Sequence, residues 1–495
     1  MAIAKVVGIE TEFGIVGGPD LDPITSSSIV VNAYAQAGRT RINWDFEGES
    51  PDLDARGLPG LTSFAPVVET HLANTVLTNG ARLYVDHAHP EYSSPECRTP
   101  LEATLYDVAG EEVLRRAVSM ANSTLEPHQA ISLYKNNCDG KGNSYGTHEN
   151  YLLERNIDFS HVIRAMVPHF VSRQIVVGSG KVGAETEDGL AASPEFQISQ
   201  RAEFFEEVVG LETTLKRPII NTRDEPHCDA ERFRRLHVII GDANLSQVAT
   251  LVKLGSTALL LAVLEDRGCD LFPSPPRHPV HALRAFALDT TLDVVVECED
   301  QRRLTAWDFQ DQLWHLCRDY ATQRGADAVA PAPEVDLILR HWREMLDGLR
   351  DDPSSVADRV DWVAKQQVVN GYRARYTLGA NDARLRAIDL QYHDLRPERS
   401  LAARVGLVQL FGLDEIREAV HNPPRTTRAY FRGQCVARYP DQIVAANWDS
   451  VVFDLGRGPL QRVPMMDPLR GTAELTAELL ETSATADDLL EALDR

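Results

Sequence analysis

Cationic residues are under-represented in this 495-residue chain: 50 Lys and Arg stand against 73 Asp and Glu, a formal net charge of −23. Phosphate backbones and anionic lipid surfaces are held by clustered cations, so neither nucleic acid nor a membrane is an expected partner. Cysteine is sparse as well. The seven cysteines, from Cys97 to Cys435, are scattered, odd in number and never spaced C-x-x-C, which speaks against a disulfide framework or a zinc site and for reduced thiols in a cytoplasm. Long apolar runs are missing. The longest, Ala258–Leu264, is far shorter than a bilayer requires. The opening MAIAKVVGIETEFG has no basic segment followed by an extended apolar one, so no secretory leader is expected. No G-x-x-x-x-G-K-[ST], strand-linked G-x-G-x-x-G, G-x-S-x-G or H-E-x-x-H occurs, which leaves P-loop, Rossmann, α/β-hydrolase and zincin chemistry without support.

What is present is an ordinary globular composition, 43% hydrophobic and 25% charged, long enough for one large domain with an appendage or for two to three smaller ones. Strands are expected over 3–16, 81–87, 131–134, 145–153 and 173–178. Helices are expected over 28–38, 101–124, 243–264 with Asp242 as cap, 307–324, 334–350, 355–374 and 382–390. Between Arg39 and Pro66 periodicity collapses into acids, Gly and Pro, the pattern of a long mobile loop, although Trp44 and Phe46 are unusual in a pure linker. From about 425 a small α/β unit follows. The expected class is α+β, a mostly antiparallel sheet packed by helices over 1–424 with a small C-terminal domain over 425–495.

Four segments carry chemistry. In Gly8-Ile9-Glu10-Thr11-Glu12-Phe13-Gly14, strand alternation puts Glu10 and Glu12 on one face. Such a pair is either a solvated edge or an oxygen-ligand set for a hard divalent cation such as Mg²⁺. In RLYVDHAHPEYSSPE, alternation aligns Arg82, Tyr84 and Asp86, followed at once by two histidines, Glu91 and Glu96, which reads as an active-site strip. In YGTHENY, Gly146, His148 and Asn150 share a face; His148 is a candidate second metal ligand or a hydrogen-bonded structural histidine. In NTRDEPHCDAERFRRLH, Arg223, Arg232, Arg234 and Arg235 offer guanidinium forks, with His237 beside them, for nucleotide phosphates, for an acidic substrate or for both. The alternative is surface pairing with Asp224, Glu225 and Glu231.

These segments, in this order and together with DWVAKQ at 361–366 and Trp448, resemble the Pup ligase/depupylase family, which is related in fold to glutamine synthetase and glutamate–cysteine ligase. The resemblance runs over nearly the whole chain. It implies a glutamine-synthetase-like large domain, Mg²⁺ on Glu10, Tyr84 and Glu91, ATP contacts from Arg82, Ser94 and Trp448, and Asp86 as the catalytic carboxylate. Glu12 and His148 join the metal set from strand geometry. The extra segment over 39–66 and the stretch TSSSIVVNAYA resemble the depupylase branch. That branch implies an amidohydrolase that deamidates the C-terminal glutamine of the modifier Pup and cleaves its isopeptide bonds to target lysines, with ATP required but not consumed at each turnover. Asp86 would serve as nucleophile or as base on a water. Pup and pupylated proteins are the implied partners, with a functional link to a bacterial proteasome system. A Pup–protein ligase using the same site is the near alternative and a small-molecule carboxylate–amine ligase the distant one.

Overall fold

Val7 and Ile9 leave one side of the strand Val7–Glu12 and are buried, while Glu10 and Glu12 share the other side. The computed structural model describes residues 1–38, 42–47, 49–57, 73–185, 194–380 and 382–494. In it the opening strand sits inside a six-stranded sheet, in the order Phe233–Val238, Thr147–Glu154, Val7–Glu12, His89–Ser93, Arg82–Asp86 and Asn74–Val76, with every neighbouring pair antiparallel. This is the α+β architecture expected. The expected single strand over 3–16 breaks at Phe13, and Gly14–Val16 pairs separately with Ser132–Tyr134. A Cβ at Gly14 would lie 2.3 Å from Asn136 Oδ1 and 2.5 Å from the Tyr145 hydroxyl, so the break requires a glycine.

One sheet face is apolar and buries Val7, Ile9, Leu83, Val85, Tyr151 and Leu236. Helices Pro100–Asn122 and Gln247–Arg267 cover it, and Phe159–Ser172, Ala306–Arg324 and Ala332–Asp351 pack around them. Gln247–Arg267 has a mean hydropathy of 1.7 over a window that is 100% buried. It is the one helix among the described residues long and apolar enough to cross a membrane, yet protein encloses it. Its buried leucines each contribute about 2 kcal/mol.

Three expectations need correction. Residues 173–178 are not a strand: Gln174–Val177 is a helical turn, closed by Val177 N→Arg173 O (3.0 Å) and Gly178 N→Gln174 O (2.7 Å). The β-branched run Ile175-Val176-Val177 suggested a strand, but Arg173, anchored on Glu149 Oε1 at 2.6 Å, pins the turn by tertiary contact. Asp242 does not cap the long central helix. Ser246 does, accepting from Ala249 N at 3.1 Å, while buried Asp242 accepts from Ser179 N, Gln200 N and the Ser199 hydroxyl. The first helix spans Pro23–Ala37 rather than 28–38, because Asp22 caps it ahead of a polar first turn.

Beyond Arg425 a second, smaller core forms from the helix Ala429–Arg438, the strands Ile443–Ala446, Ser450–Phe453 and Gln461–Pro464, and two short closing helices. Its sheet takes Asn43–Trp44 as a fourth strand, and Ile42 and Trp44 enter its core. Of the loop expected over 39–66, the described residues 42–47 and 49–57 are therefore docked, with Ala55 N donating to Thr222 O and Asp224 N to Leu53 O. Residues 39–41, 48 and 58–66 lie outside the described residues.

Candidate active site

The second face of the sheet is polar because register and alternation agree across five strands. Glu10 stands opposite Ser93 on one side and His148 on the other; Glu12 stands opposite Glu91. One strand further, Glu91 meets Tyr84, Ser93 meets Arg82 and His89 meets Asp86. In the other direction Asn150 meets His237. Residues as far apart in the chain as Glu10 and His237 thus form one strip. Asp86 ends its strand, and His87, in the left-handed region at φ 51°, turns the chain tightly into His89–Ser93. The turn leaves the Asp86 side chain 37% exposed at the rim, with Oδ2 3.1 Å from His87 Nδ1.

Two sets of donor atoms converge there, each within 4.8 Å: Glu10, His148 and His237, and Glu12, Asp86 and Glu91. Burial, then the charges of Asp86, Glu10 and Glu12, push the Glu91 carboxyl well above the usual carboxylate range. Burial and Glu91 likewise push the Tyr84 phenol up. Glu10 behaves oppositely: burial opposes its charge, but His148 Nδ1 at 3.2 Å, with Arg235 and Arg223 nearby, holds it below the usual range. His237 is kept neutral by burial and by Arg235. Crowded buried oxygens of one sign fit a hard divalent cation, which would remove the repulsion that raises Glu91.

A cavity adjoins the strip at each end. On the Glu10 side a slot is lined by Ser94, Leu152, Cys228, Arg235, Arg428 and Trp448 among others. The Ser94 hydroxyl already accepts from Ile9 N at 3.0 Å and donates to Pro95 O at 3.1 Å, so it offers the slot only its second lone pair. Arg82 does not line the slot. Its Cζ lies 4.0 Å from the Trp44 ring centroid and 3.8 Å from that of Tyr84, and its Nε donates to Asn74 Oδ1 at 3.2 Å. On the Glu12 side a cavity of about 1200 Å³ opens, lined by Glu12, Asp86, His89, Gly146, His148 and many others. Gly146 donates to Glu12 Oε1 at 2.6 Å, and a Cβ on it would sit 2.2 Å from His148 Nε2.

The arginine run divides. Arg235 faces the strip, donating to Asn150 Oδ1 at 2.7 Å, and Arg223 lies in the field of Glu10, its Nε buried without a hydrogen-bond partner among the described residues. Arg232 and Arg234 lie away from the strip. Arg232 is 56% exposed and paired with Asp467 at 3.0 Å. Arg234 points to the opposite face, over the Phe159 ring and toward Asp224 at 3.4 Å. No local pattern marks Arg201 and Arg217, which line the large cavity beside Glu12 and have no ion-pair partner among the described residues.

With this geometry in place, comparisons with known proteins are specific. The family model described as Pup-ligase protein matches residues 5–452. The chain is 48% identical over 506 residues to the depupylase of Acidothermus cellulolyticus, covering 99% of each. It is 45% identical over 505 residues to the Pup deamidase/depupylase of Mycolicibacterium smegmatis, again 99% of each. Against the Pup–protein ligase of Acidimicrobium ferrooxidans identity falls to 37% over 486 residues, 96% of this chain and 98% of that one. Among solved structures, the complex of Pup with its ligase PafA superposes with a TM-score of 0.80 at 27% identity, covering 99% of this chain and 95% of that one. PafA in complex with ADP gives 0.74 at 31% identity, covering 82% and 89%.

Proposed function

The chain belongs to the Pup-ligase family, and from that premise we propose that it is a Mg²⁺- and nucleotide-dependent hydrolase of the amides at the Pup C-terminus. It deamidates the terminal glutamine of Pup and cleaves the isopeptide bond between Pup and target lysines, in the cytoplasm. Pupylated proteins are then its second substrate class, which ties it to a bacterial proteasome system. The higher identity to depupylases than to the ligase, 48% against 37%, favours hydrolysis over ligation.

One observation carries the mechanism: the carboxylate strip joins a slot to a large cavity, with Asp86 on the cavity side. The slot would hold the nucleotide through Trp448, Ser94 and Arg235, which line it; the ADP-bound relative supports nucleotide binding. Glu10, Tyr84 and Glu91, with Glu12 and His148, would hold Mg²⁺, which when bound neutralises phosphate charge and polarises the scissile carbonyl. Asp86, at the cavity rim, begins the cleavage. As nucleophile it adds to the amide carbon and expels ammonia or the lysine amine, leaving an anhydride for water to hydrolyse; as base it takes the proton of the attacking water. Net, amide and water become acid and amine. The cavity accommodates either leaving amine, since about 1200 Å³ far exceeds a glutamine side chain.

The test is intact-mass analysis of Pup ending in glutamine, incubated with the protein and Mg-ATP while ADP is followed. The expected result is conversion of amide to acid without matching ADP. Lysine-dependent attachment of Pup ending in glutamate, with stoichiometric ADP, would assign the ligase instead.

A further inference from the structure

Between the polar sheet and the C-terminal unit lies a guanidinium with every N–H in use. Arg432, on the helix Ala429–Arg438, is fully buried. Its Nε and Nη2 donate to Gly80 O at 3.1 and 2.8 Å; its Nη1 donates to Trp448 O at 2.9 Å and Glu96 Oε1 at 3.2 Å; its Nη2 also donates to Glu96 Oε2. These contacts use up the five donors a guanidinium has. The acceptors belong to three separate parts of the molecule. Gly80, at φ 79°, forms the turn ahead of the strand carrying Arg82, Tyr84 and Asp86. Glu96 follows the strand carrying Glu91 and lies two residues beyond Ser94. Trp448 walls the slot, and its ring centroid lies 5.1 Å from Arg432 Cζ.

Glu96 is shared. Arg428, which also lines the slot, donates to Glu96 Oε1 from Nε at 2.7 Å. Although burial opposes ionisation, the two arginines hold the Glu96 carboxyl down at about 2. A buried triad of this kind adds little net stability, because desolvation offsets attraction, but losing one member leaves an uncompensated charge. What it supplies is fixed geometry.

We propose that Arg432, oriented by Glu96, is a positioning residue for the nucleotide: it seats Trp448 against the sheet and thereby makes slot affinity depend on docking of the C-terminal unit. The inference rests on the nucleotide reading of the slot. Coupling of this kind is reciprocal, so nucleotide binding holds the C-terminal unit in place in turn.

The test titrates Mg-ADP calorimetrically into the wild type, Arg432→Lys, Glu96→Gln and Val436→Ala, with turnover of glutamine-ended Pup measured at saturating Mg-ATP. Lysine keeps the charge but lacks the fork, and Glu96→Gln removes the charge that orients it. Both variants are expected to weaken Mg-ADP about tenfold, and in Arg432→Lys turnover at saturation stays within about twofold. Val436, buried on the same helix and outside the slot lining, is the control: its truncation lowers Tm and leaves the affinity unchanged. Unchanged affinity in Arg432→Lys, or an equal loss in Val436→Ala, overturns the proposal. A wild type that fails to bind Mg-ADP overturns the nucleotide reading itself. Should the first two variants not fold, hydrogen exchange over 443–453 in the wild type decides: slowing by Mg-ADP supports the coupling, and unchanged exchange overturns it.

Discussion

Glu12 and Glu91 face each other directly across an antiparallel pair, two buried carboxylates at one register position. Like charges so placed destabilise a sheet unless a cation lies between them. Burial and the neighbouring acids raise Glu91 above its ordinary 4.5 in the folded state, so there the folded chain keeps a proton that the unfolded chain has lost. Cation-free protein is therefore expected to lose stability as pH rises from about 4.5 toward the raised value. Thermal melts across pH with chelator should show the decline, and Mg²⁺ should flatten it. Glu91→Gln should raise the cation-free Tm at neutral pH by on the order of 2 °C while abolishing the gain from Mg²⁺. A decline that survives in Glu91→Gln would place the titrating group elsewhere.

Asp86→Asn keeps size and shape but removes the charge needed for either nucleophilic or base catalysis. Turnover of glutamine-ended Pup is expected to fall below detection, with Mg-ADP affinity retained by calorimetry. Loss of both would make Asp86 an organiser of the site.

Gly146→Ala introduces a methyl group 2.2 Å from His148 Nε2 and 2.8 Å from Glu12 Oε1. Displacement of both by about 1 Å is expected to cost roughly a hundredfold in kcat/KM. The fold tolerates it, so circular dichroism should be unchanged. Near-normal kinetics would show that neither side chain needs its present position.

Arg235 and Arg232 provide an internal contrast. Arg235→Ala removes a guanidinium from the strip and should weaken Mg-ADP about tenfold, with a reduced salt dependence. Arg232→Ala removes an exposed pair with Asp467 and a cation–π contact with Phe233 and should change neither affinity nor stability by more than about 1 kcal/mol. Equal effects would mean that the two arginines are not separated as the structure separates them.

That contrast marks what the sequence could show. Alternation within GIETEFG and RLYVDHAHPEY was enough to group Glu10 with Glu12, and Arg82 with Tyr84 and Asp86, because each strand is short and regular. In ERFRRLH the same rule needs the strand to begin at Phe233, and no local signal marks that start. The helical turn Gln174–Val177 escaped because β-branched residues dominate it and a distant ion pair decides its shape. Trp448 could be found by resemblance alone, and its support was out of reach: Glu96 and Arg432 are 336 residues apart, and nothing in either neighbourhood announces the other. Register within a strand is local information; the pairing of distant strands and domains is not.

The enclosed helix Gln247–Arg267 has a consequence for how the chain is made. Much of its cover, Ala306–Arg324 and Ala332–Asp351, is synthesised after it, and at roughly 5–20 residues per second the ribosome needs several seconds to supply that cover. During that interval a segment as apolar as a membrane span is only partly covered, by the earlier helices Pro100–Asn122 and Phe159–Ser172. Fragments ending between the helix and Asp351 should accumulate as aggregates or chaperone clients, and synonymous changes that slow translation between 268 and 351 should lower the yield of folded enzyme without altering one residue of it.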